Sequence, residues 1–581
     1  MTNSSIRELA ERCLSRSFAD VEMIESDSVF VEIRKNKRVV GGANTPQKLR
    51  AFSLLSLHDE KKTFSLREIP GFEKLGAMLD MSRGGVMRVG AVKKYINRLA
   101  LYGANQLLLY TEDTYTLEDY PHFGYLRGAY TDEELKEIDA YAASLDMEVV
   151  PCIQTLGHMG QYLSWREETA KIRDTADVLL CDSEDTYRFI EAEIAKMRKV
   201  FRSKRIHIGM DEAHDVGLGQ YLKKNGFEDR CELMKRHLAK VADICKQYDF
   251  MPMMWSDMFF RLDSPTDDYY NYDGNYHFPE EMIENIPDVE MVYWDYYNST
   301  EGAYRNMVRL HKELQKPMIF AGGIWTWNGF LPDHIRTEKT MMPALKVCRE
   351  NGVGNVIATM WGDNGCETDY FRGLIDFAFF SEYCYSEAEP AKEQIMKMGE
   401  LISGTSAKAR EEIGKFHSLT AEKGLIWGDA FYNLTGLDFS KTEHEALFSA
   451  AAESSYLGEN EFAKLVFRIS AMKAQIYANL QKEYRTGTDL SVYVQLFGRL
   501  AEDYTKLLAL HRENWMKINK PFGFERIEAR YHATIGRLFS EKALLEAYGK
   551  GEISTIEELE YTPVYGENRG FYYEKFAFPG I

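Results

Sequence analysis

Arg205-Ile206-His207-Ile208-Gly209-Met210-Asp211-Glu212 joins a short apolar run to a glycine and then to two adjacent carboxylates. The run has the length of a buried strand, and the glycine stands where that strand ends. Barrel enzymes keep their chemistry at the C-terminal ends of their strands. The octapeptide therefore predicts a strand with a reactive position at its tip.

Seven other apolar runs flank it, at Gly76–Leu79, Gln106–Tyr110, Glu148–Ile153, Phe250–Trp255, Glu290–Trp294, Pro317–Phe320 and Asn355–Met360. Between most of them lies a helical pattern. In Asp229–Tyr248, Met234, Leu238, Val241 and Cys245 recur every three or four residues and form one apolar stripe. This alternation predicts an α/β fold, a (β/α)8 TIM barrel. A doubly wound sheet also alternates, but it wants a glycine-rich turn after its first strand, and Ser82-Arg83-Gly84-Gly85 is not one. The connection after Trp255 breaks the rhythm. Residues 259–287 hold many Asp, Asn, Tyr and Pro, which predicts a long structured loop.

Outside the barrel, Ser28–Lys35 alternates as a half-buried strand and Thr45–Leu57 has helical spacing, giving a small N-terminal α+β domain. Beyond residue 390 helical patterns dominate, as in Glu461–Gln481 and Leu490–Asn514, and an aromatic tail closes the chain over Tyr561–Ile581. The expected domains are 1–70, 71–390 and an α-helical 391–581. A carbohydrate-binding module at the end is disfavoured, because such modules are usually β-sandwiches.

The chain has 581 residues, 45% hydrophobic and 28% charged, with a formal net charge of −19. That charge repels phosphate backbones and anionic lipid, so neither nucleic acid nor membrane is an expected partner. The N-terminus lacks a basic stretch followed by an apolar one, and no apolar run is long enough to span a bilayer. Eight scattered cysteines without a C-x-x-C pair fit a reduced, cytoplasmic setting. No metal or cofactor is implied, since the His and carboxylates lack ligand spacing.

The strand ends share a chemistry. The first leads into Asp80-Met81-Ser82-Arg83, the second into Glu112-Asp113, the third into Gln154 and Gly157-His158, and the fourth into Asp211-Glu212. Trp255 and Asp257 follow the fifth. Trp294, Asp295, Tyr296 and Tyr297 follow the sixth, Trp325 and Trp327 the seventh, and Trp361 and Asp363 the eighth. Aromatic rings stack on the apolar faces of sugars and carboxylates accept hydroxyl hydrogen bonds, so the set reads as a carbohydrate pocket. A barrel end merely capped by aromatics is the bland alternative. A glycosidase needs a protonated carboxyl for the leaving oxygen. Asp211 and Glu212 can divide the work, and repulsion between close carboxylates is expected to raise the pKa of one.

The motif His207-Ile208-Gly209-Met210-Asp211-Glu212 resembles the H-x-G-x-D-E signature of glycoside hydrolase family 20, the β-N-acetylhexosaminidases, with Met210 in place of a usual second glycine. Asp80-Met81-Ser82-Arg83, Gly157-His158, Trp255, Trp294 and Trp361 agree in order. The likeness covers about residues 1–390 and is nearest a cytosolic bacterial subgroup with a helical C-terminal domain. It implies a retaining exo-β-N-acetylhexosaminidase acting on a small glycan with a terminal β-linked GlcNAc or GalNAc. The sugar's own acetamido oxygen would attack the anomeric carbon and form an oxazolinium ion. Glu212 would be the general acid and then base, and Asp211 would orient the acetamido group. Asp113 and His158 would form a pair tuning the acid. Trp255, Trp294 and Trp361 would wall the acetamido pocket, with Tyr296 or Tyr297 on the acetamido oxygen. Arg83, Trp327 and Asp363 would complete the substrate contacts. Two departures stand out: Leu75 replaces an arginine, and no Tyr-x-Asp follows the seventh strand. Two other functions remain open at this point. One is a barrel glycosidase with Asp257, Asp295 or Asp363 as nucleophile, and the other is a non-catalytic sugar-binding protein.

Overall fold

The computed structural model describes the whole chain except residues 36, 265–268, 271–273, 419–421 and 567–581. It divides into two compact units. The first comprises Met1–Ile324, Arg336–Trp361 and Leu374–Gly404; the second comprises Trp325–Ile335, Gly362–Gly373 and Thr405–Ile581.

The first unit opens with a four-stranded sheet. Its strands are β1 (Val21–Glu25), β2 (Val29–Arg34), β3 (Lys37–Gly42) and β4 (Phe64–Glu68), in the order β1-β3-β2-β4. Along β2, Val29, Val31 and Ile33 are buried while the residues between them are less so, the alternation of a sheet with one covered face. Helix Thr45–Leu57 begins at Asn44, whose side chain accepts from the Gln47 N–H. This helix buries Arg50, whose guanidinium is held by Glu68 at 2.6 Å and Glu382 at 2.9 Å. Two carboxylates around one guanidinium repay a desolvation that a lone buried charge cannot.

The barrel follows. Its strands are β5 (Lys74–Asp80), β6 (Gln106–Tyr110), β7 (Glu148–Cys152), β8 (Arg205–His207), β9 (Met251–Trp255), β10 (Glu290–Asp295), β11 (Met318–Gly323) and β12 (Asn355–Met360). They close as β10-β11-β12-β5-β6-β7-β8-β9, with every pairing parallel. All eight fall on the expected runs. β6 and β12 are buried at every position, as strands covered on both faces must be. Helix Arg230–Gln247 buries the expected stripe of Met234, Leu238, Val241 and Cys245. Between β9 and β10 the described residues of the long loop include the short helices Asp257–Asp263 and Glu280–Ile283.

The second unit is helical among its described residues, with long helices at Glu461–Thr486, Ser491–Ile518 and Phe524–Gly549. In it Glu367 is buried against Lys423 (2.7 Å), Arg530 (3.2 Å) and the Trp427 indole N–H (3.1 Å). Most of the aromatic tail lies outside the described residues. No helix among them is long and apolar enough to cross a membrane.

Candidate active site

β8 is the shortest barrel strand, and its abrupt end builds the site. After His207 the chain leaves the ladder through Gly209 and Met210, both at φ +70°, and Glu212 follows at +47°. Left-handed backbone at non-glycine residues is strained and concentrates at functional positions. Glu112 (+42°) and His158 (+55°), in the segments that follow β6 and β7, share it.

His207 shapes this turn. Its Nδ1 accepts the Gly209 N–H at 3.1 Å, its ring packs 4.4 Å from Trp255, and burial pushes its pKa down to about 3, so it is neutral. Gly209 is required by contact as well as by φ. A Cβ there would lie 1.9 Å from Gln154 Oε1, the atom that accepts the Met210 N–H at 3.2 Å. Gly209→Ala is therefore expected to cost about 1–3 kcal/mol in backbone strain and to dislodge Gln154. The check is a lower thermal midpoint together with reduced turnover. An unchanged midpoint contradicts the assignment.

Gln154 links the carboxylate pair to the next strands. Its Nε2 donates to Asp211 Oδ1 (2.8 Å) and to the Tyr110 hydroxyl (2.7 Å), and Tyr110 donates to Glu112 (3.1 Å). Arg83 stands 3.3 Å from Asp80 and 3.5 Å from Glu112 and lies over the rings of Tyr110 and Trp361. His158 joins the two predicted catalytic residues, with Nε2 3.1 Å from Asp211 Oδ2 and 3.5 Å from Glu212 Oε2.

That bridge reverses the expected electrostatics. Burial alone would lower the His158 pKa, but the charge of Asp211 and hydrogen bonds to both carboxylates raise it well above its ordinary value. Burial alone would raise the pKa of each carboxylate, yet His158 holds both Asp211 and Glu212 below the usual range. The raised carboxyl is Asp257, two residues after β9. Burial, then the charge of Asp211, push its pKa up to about 8. Its oxygens accept the Glu212 backbone N–H (3.0 Å) and the Trp294 indole N–H (3.2 Å). Repulsion among the carboxylates is real, but it is relieved at Asp257 because His158, from another strand, supplies a proton between the adjacent pair.

The predicted walls assemble in part. Trp255, Trp294 and Trp361 are all buried, with Trp255 and Trp361 ring centroids 6.0 Å apart. Tyr296 is 5% exposed and stacks on Trp294 at 5.3 Å; Tyr297 is 66% exposed. Asp113 binds Arg127 at 3.2 Å, and Arg127 also donates to the Ser82 carbonyl. The acidic residue of that strand end whose charge and His158 act on each other is Glu112, itself raised by burial. Trp327 and Asp363 belong to the second unit. There Trp327 stacks on Trp325 at 4.1 Å, and the Asp363 carbonyl accepts from Lys423.

Sequence reasoning missed Arg127, Tyr269 and His214. Tyr269, in the long loop, donates to Glu212 Oε1 at 3.2 Å and lies 3.0 Å from His214 Nε2. A loop tyrosine carries no periodic signal. His214, two residues past the motif, could have been suspected from position alone.

Residues 72–274 match the catalytic domain of glycosyl hydrolase family 20, and residues 409–572 match the glycoside hydrolase 20C C-terminal domain. Hexosaminidase D of Bos taurus is 29% identical over 207 residues, 33% of this chain and 55% of that protein. The match thus spans about half of the relative's length. Among solved structures, the Streptomyces plicatus N-acetyl-β-hexosaminidase aligns with a TM-score of 0.52 at 16% identity, over 69% of this chain and 89% of that one. The family 20 exo-β-N-acetylglucosaminidase from Vibrio harveyi, in complex with N-acetylglucosamine, aligns at 0.51 and 16% identity, over 71% and 72%. These structures share the fold. With a family 20 catalytic segment and a 20C C-terminal segment in one chain, the protein belongs to glycoside hydrolase family 20.

Proposed function

We propose that the protein is a retaining exo-β-N-acetylhexosaminidase that removes terminal β-linked GlcNAc or GalNAc with the help of the substrate's own acetamido group. One observation carries this reading: a single imidazolium, His158, bridges two carboxylates of which one is tethered and the other reaches outward. Asp211 is 8% exposed and fixed by Gln154 and His158. Such an anion suits the acetamido N–H and the positive charge that grows on an oxazolinium ring. Glu212 is more accessible, as an acid that must reach the glycosidic oxygen and later activate water has to be.

In the reaction the acetamido oxygen bonds to the anomeric carbon while the glycosidic bond breaks. The leaving oxygen takes its proton from Glu212, which is left as the carboxylate. Glu212 then takes a proton from the water that opens the oxazolinium ion, and the original anomer returns. The indoles of Trp255, Trp294 and Trp361 offer the apolar enclosure an acetamido methyl needs.

A protein nucleophile is less well supported. Asp257 is neutral up to about pH 8 and both its oxygens accept hydrogen bonds. Asp295 accepts from Tyr293, from the Asn298 side chain and from the Tyr297 and Asn298 N–H groups. A cytoplasmic setting belongs to the same reading, on eight cysteines that form no disulfide among the described residues.

The test is the first-formed anomer, followed by NMR during hydrolysis, together with inhibition by a thiazoline mimic of the oxazoline. Retention with strong inhibition is expected. Inversion, or indifference to the thiazoline, would overturn the mechanism.

A further inference from the structure

The long loop after β9 brings one side chain onto the candidate acid. Tyr269 donates its hydroxyl hydrogen to Glu212 Oε1 at 3.2 Å, on the carboxylate oxygen that His158 does not approach. The same hydroxyl lies 3.0 Å from His214 Nε2. Its neighbour Tyr270 is an anchor. The Tyr270 hydroxyl lies 3.2 Å from Ser256 Oγ, and its ring packs against Trp294, Tyr293 and Phe260 at 5.0–5.4 Å. Arg261 sits over the Tyr269 ring at 5.0 Å. The position of Tyr269 is thus fixed from three sides.

We propose that Tyr269 is a positioning residue that serves Glu212 in both of its protonation states, with His214 as the alternate partner of the hydroxyl. The proposal rests on Glu212 being the acid and base of the reaction. A phenol has one hydrogen to give and lone pairs to receive. When Glu212 is ionised, the hydroxyl donates to Oε1. When Glu212 carries its proton, the hydroxyl rotates to donate to His214 and accepts from the carboxyl. No bond to carbon changes and no proton leaves the tyrosine. The second arrangement needs a neutral His214. Burial and the charge of Arg261 hold its pKa below the ordinary value, with Glu212 and Asp215 opposing and His158 adding to the lowering. The charged or titratable groups around Glu212 are His158, Asp211, His214, Asp257 and Tyr269. Of these, Tyr269 and His158 hold its side-chain oxygens.

Tyr269→Phe keeps the ring under Arg261 and removes only the hydroxyl. A lost hydrogen bond to a charged group is expected to lower kcat about tenfold on a GlcNAc disaccharide. A smaller effect is expected on the 4-nitrophenyl glycoside, and KM should change little. Of the two bonds lost, the one to ionised Glu212 is charge-assisted and the stronger, so the pKa of Glu212 rises. The basic limb of the pH–rate profile, where the acid loses its proton, should move up by about one unit. Tyr270→Phe is the structural control and should leave the profile in place. A ¹³C-carboxyl titration of Glu212, assigned by difference from Glu212→Gln, gives the same answer without turnover. A higher Glu212 pKa in Tyr269→Phe supports the proposal, and an identical one overturns it. Wild-type protein that hydrolyses no acetamido glycoside would instead overturn the functional reading, and the titration would still decide the role of Tyr269. A kcat loss with an unmoved profile, equal for both leaving groups, would make Tyr269 merely structural.

Discussion

Glu212→Gln is expected to lower kcat/KM on a GlcNAc disaccharide by about 10²–10⁴, the usual worth of one general acid. The variant should fold. Its amide oxygen can face the His158 imidazolium and its NH₂ can face the Tyr269 hydroxyl, so both contacts of the native side chain are kept in kind. What is lost is the transferable proton. The deficit should shrink on a 4-nitrophenyl glycoside, whose leaving group hardly needs protonation. It should be greatest below the basic limb of the wild-type profile, where the native acid carries its proton. Kinetics on the two substrates check this. A disaccharide rate within a few-fold of wild type contradicts the assignment.

Asp211→Asn is expected to cost roughly 10²–10³ in kcat, in the range of losing one electrostatic contact to a charged transition state. Here the loss should be the same for both leaving groups, because charge forms on the acetamido group whichever aglycone departs. The geometry makes the variant worse than a simple neutralisation. Gln154 Nε2 and His158 both donate to Asp211, and an asparagine can accept only through its one oxygen. Turning Gln154 would abandon its bond from the Met210 N–H. The asparagine NH₂ therefore faces His158, which must give up its proton, and the raised His158 pKa should fall towards the ordinary value. The stability consequence has a definite sign. His158 is raised in the folded state, so its contribution is full below the unfolded histidine pKa and fades as pH climbs through the folded one. Asp211 is lowered, so its contribution is full above the unfolded carboxyl pKa and fades as pH falls. Wild type should exceed Asp211→Asn in stability most between about pH 4 and 6.5. Denaturant midpoints across pH test this, and a gap that widens above pH 8 contradicts it.

The barrel was readable because parallel strands buried on both faces must be continuous apolar runs, as Gln106–Tyr110 and Asn355–Met360 are. The carboxylate pair was readable because β8 ends in residues that have no use in an ordinary turn. The proton distribution was not. Adjacency of Asp211 and Glu212 suggests repulsion between them, but the answer depends on His158 and Asp257, which only closure of the barrel brings near. Asp113 and Glu112 are neighbours in sequence, and chain order alone does not say which faces Arg127 and which faces Arg83. Trp327 and Asp363 follow barrel strands in the chain, yet their segments belong to the second unit. Tyr269 and Arg127 sit in loops, where neither period nor propensity marks a side chain that reaches back to the site.

The most direct test of the central claim is hydrolysis of the 4-nitrophenyl β-glycosides of GlcNAc, GalNAc and glucose under one set of conditions. If the substrate's acetamido oxygen is the nucleophile, one or both acetamido sugars are turned over and the glucoside is not. Comparable turnover of the glucoside would place the nucleophile on the protein and contradict the account.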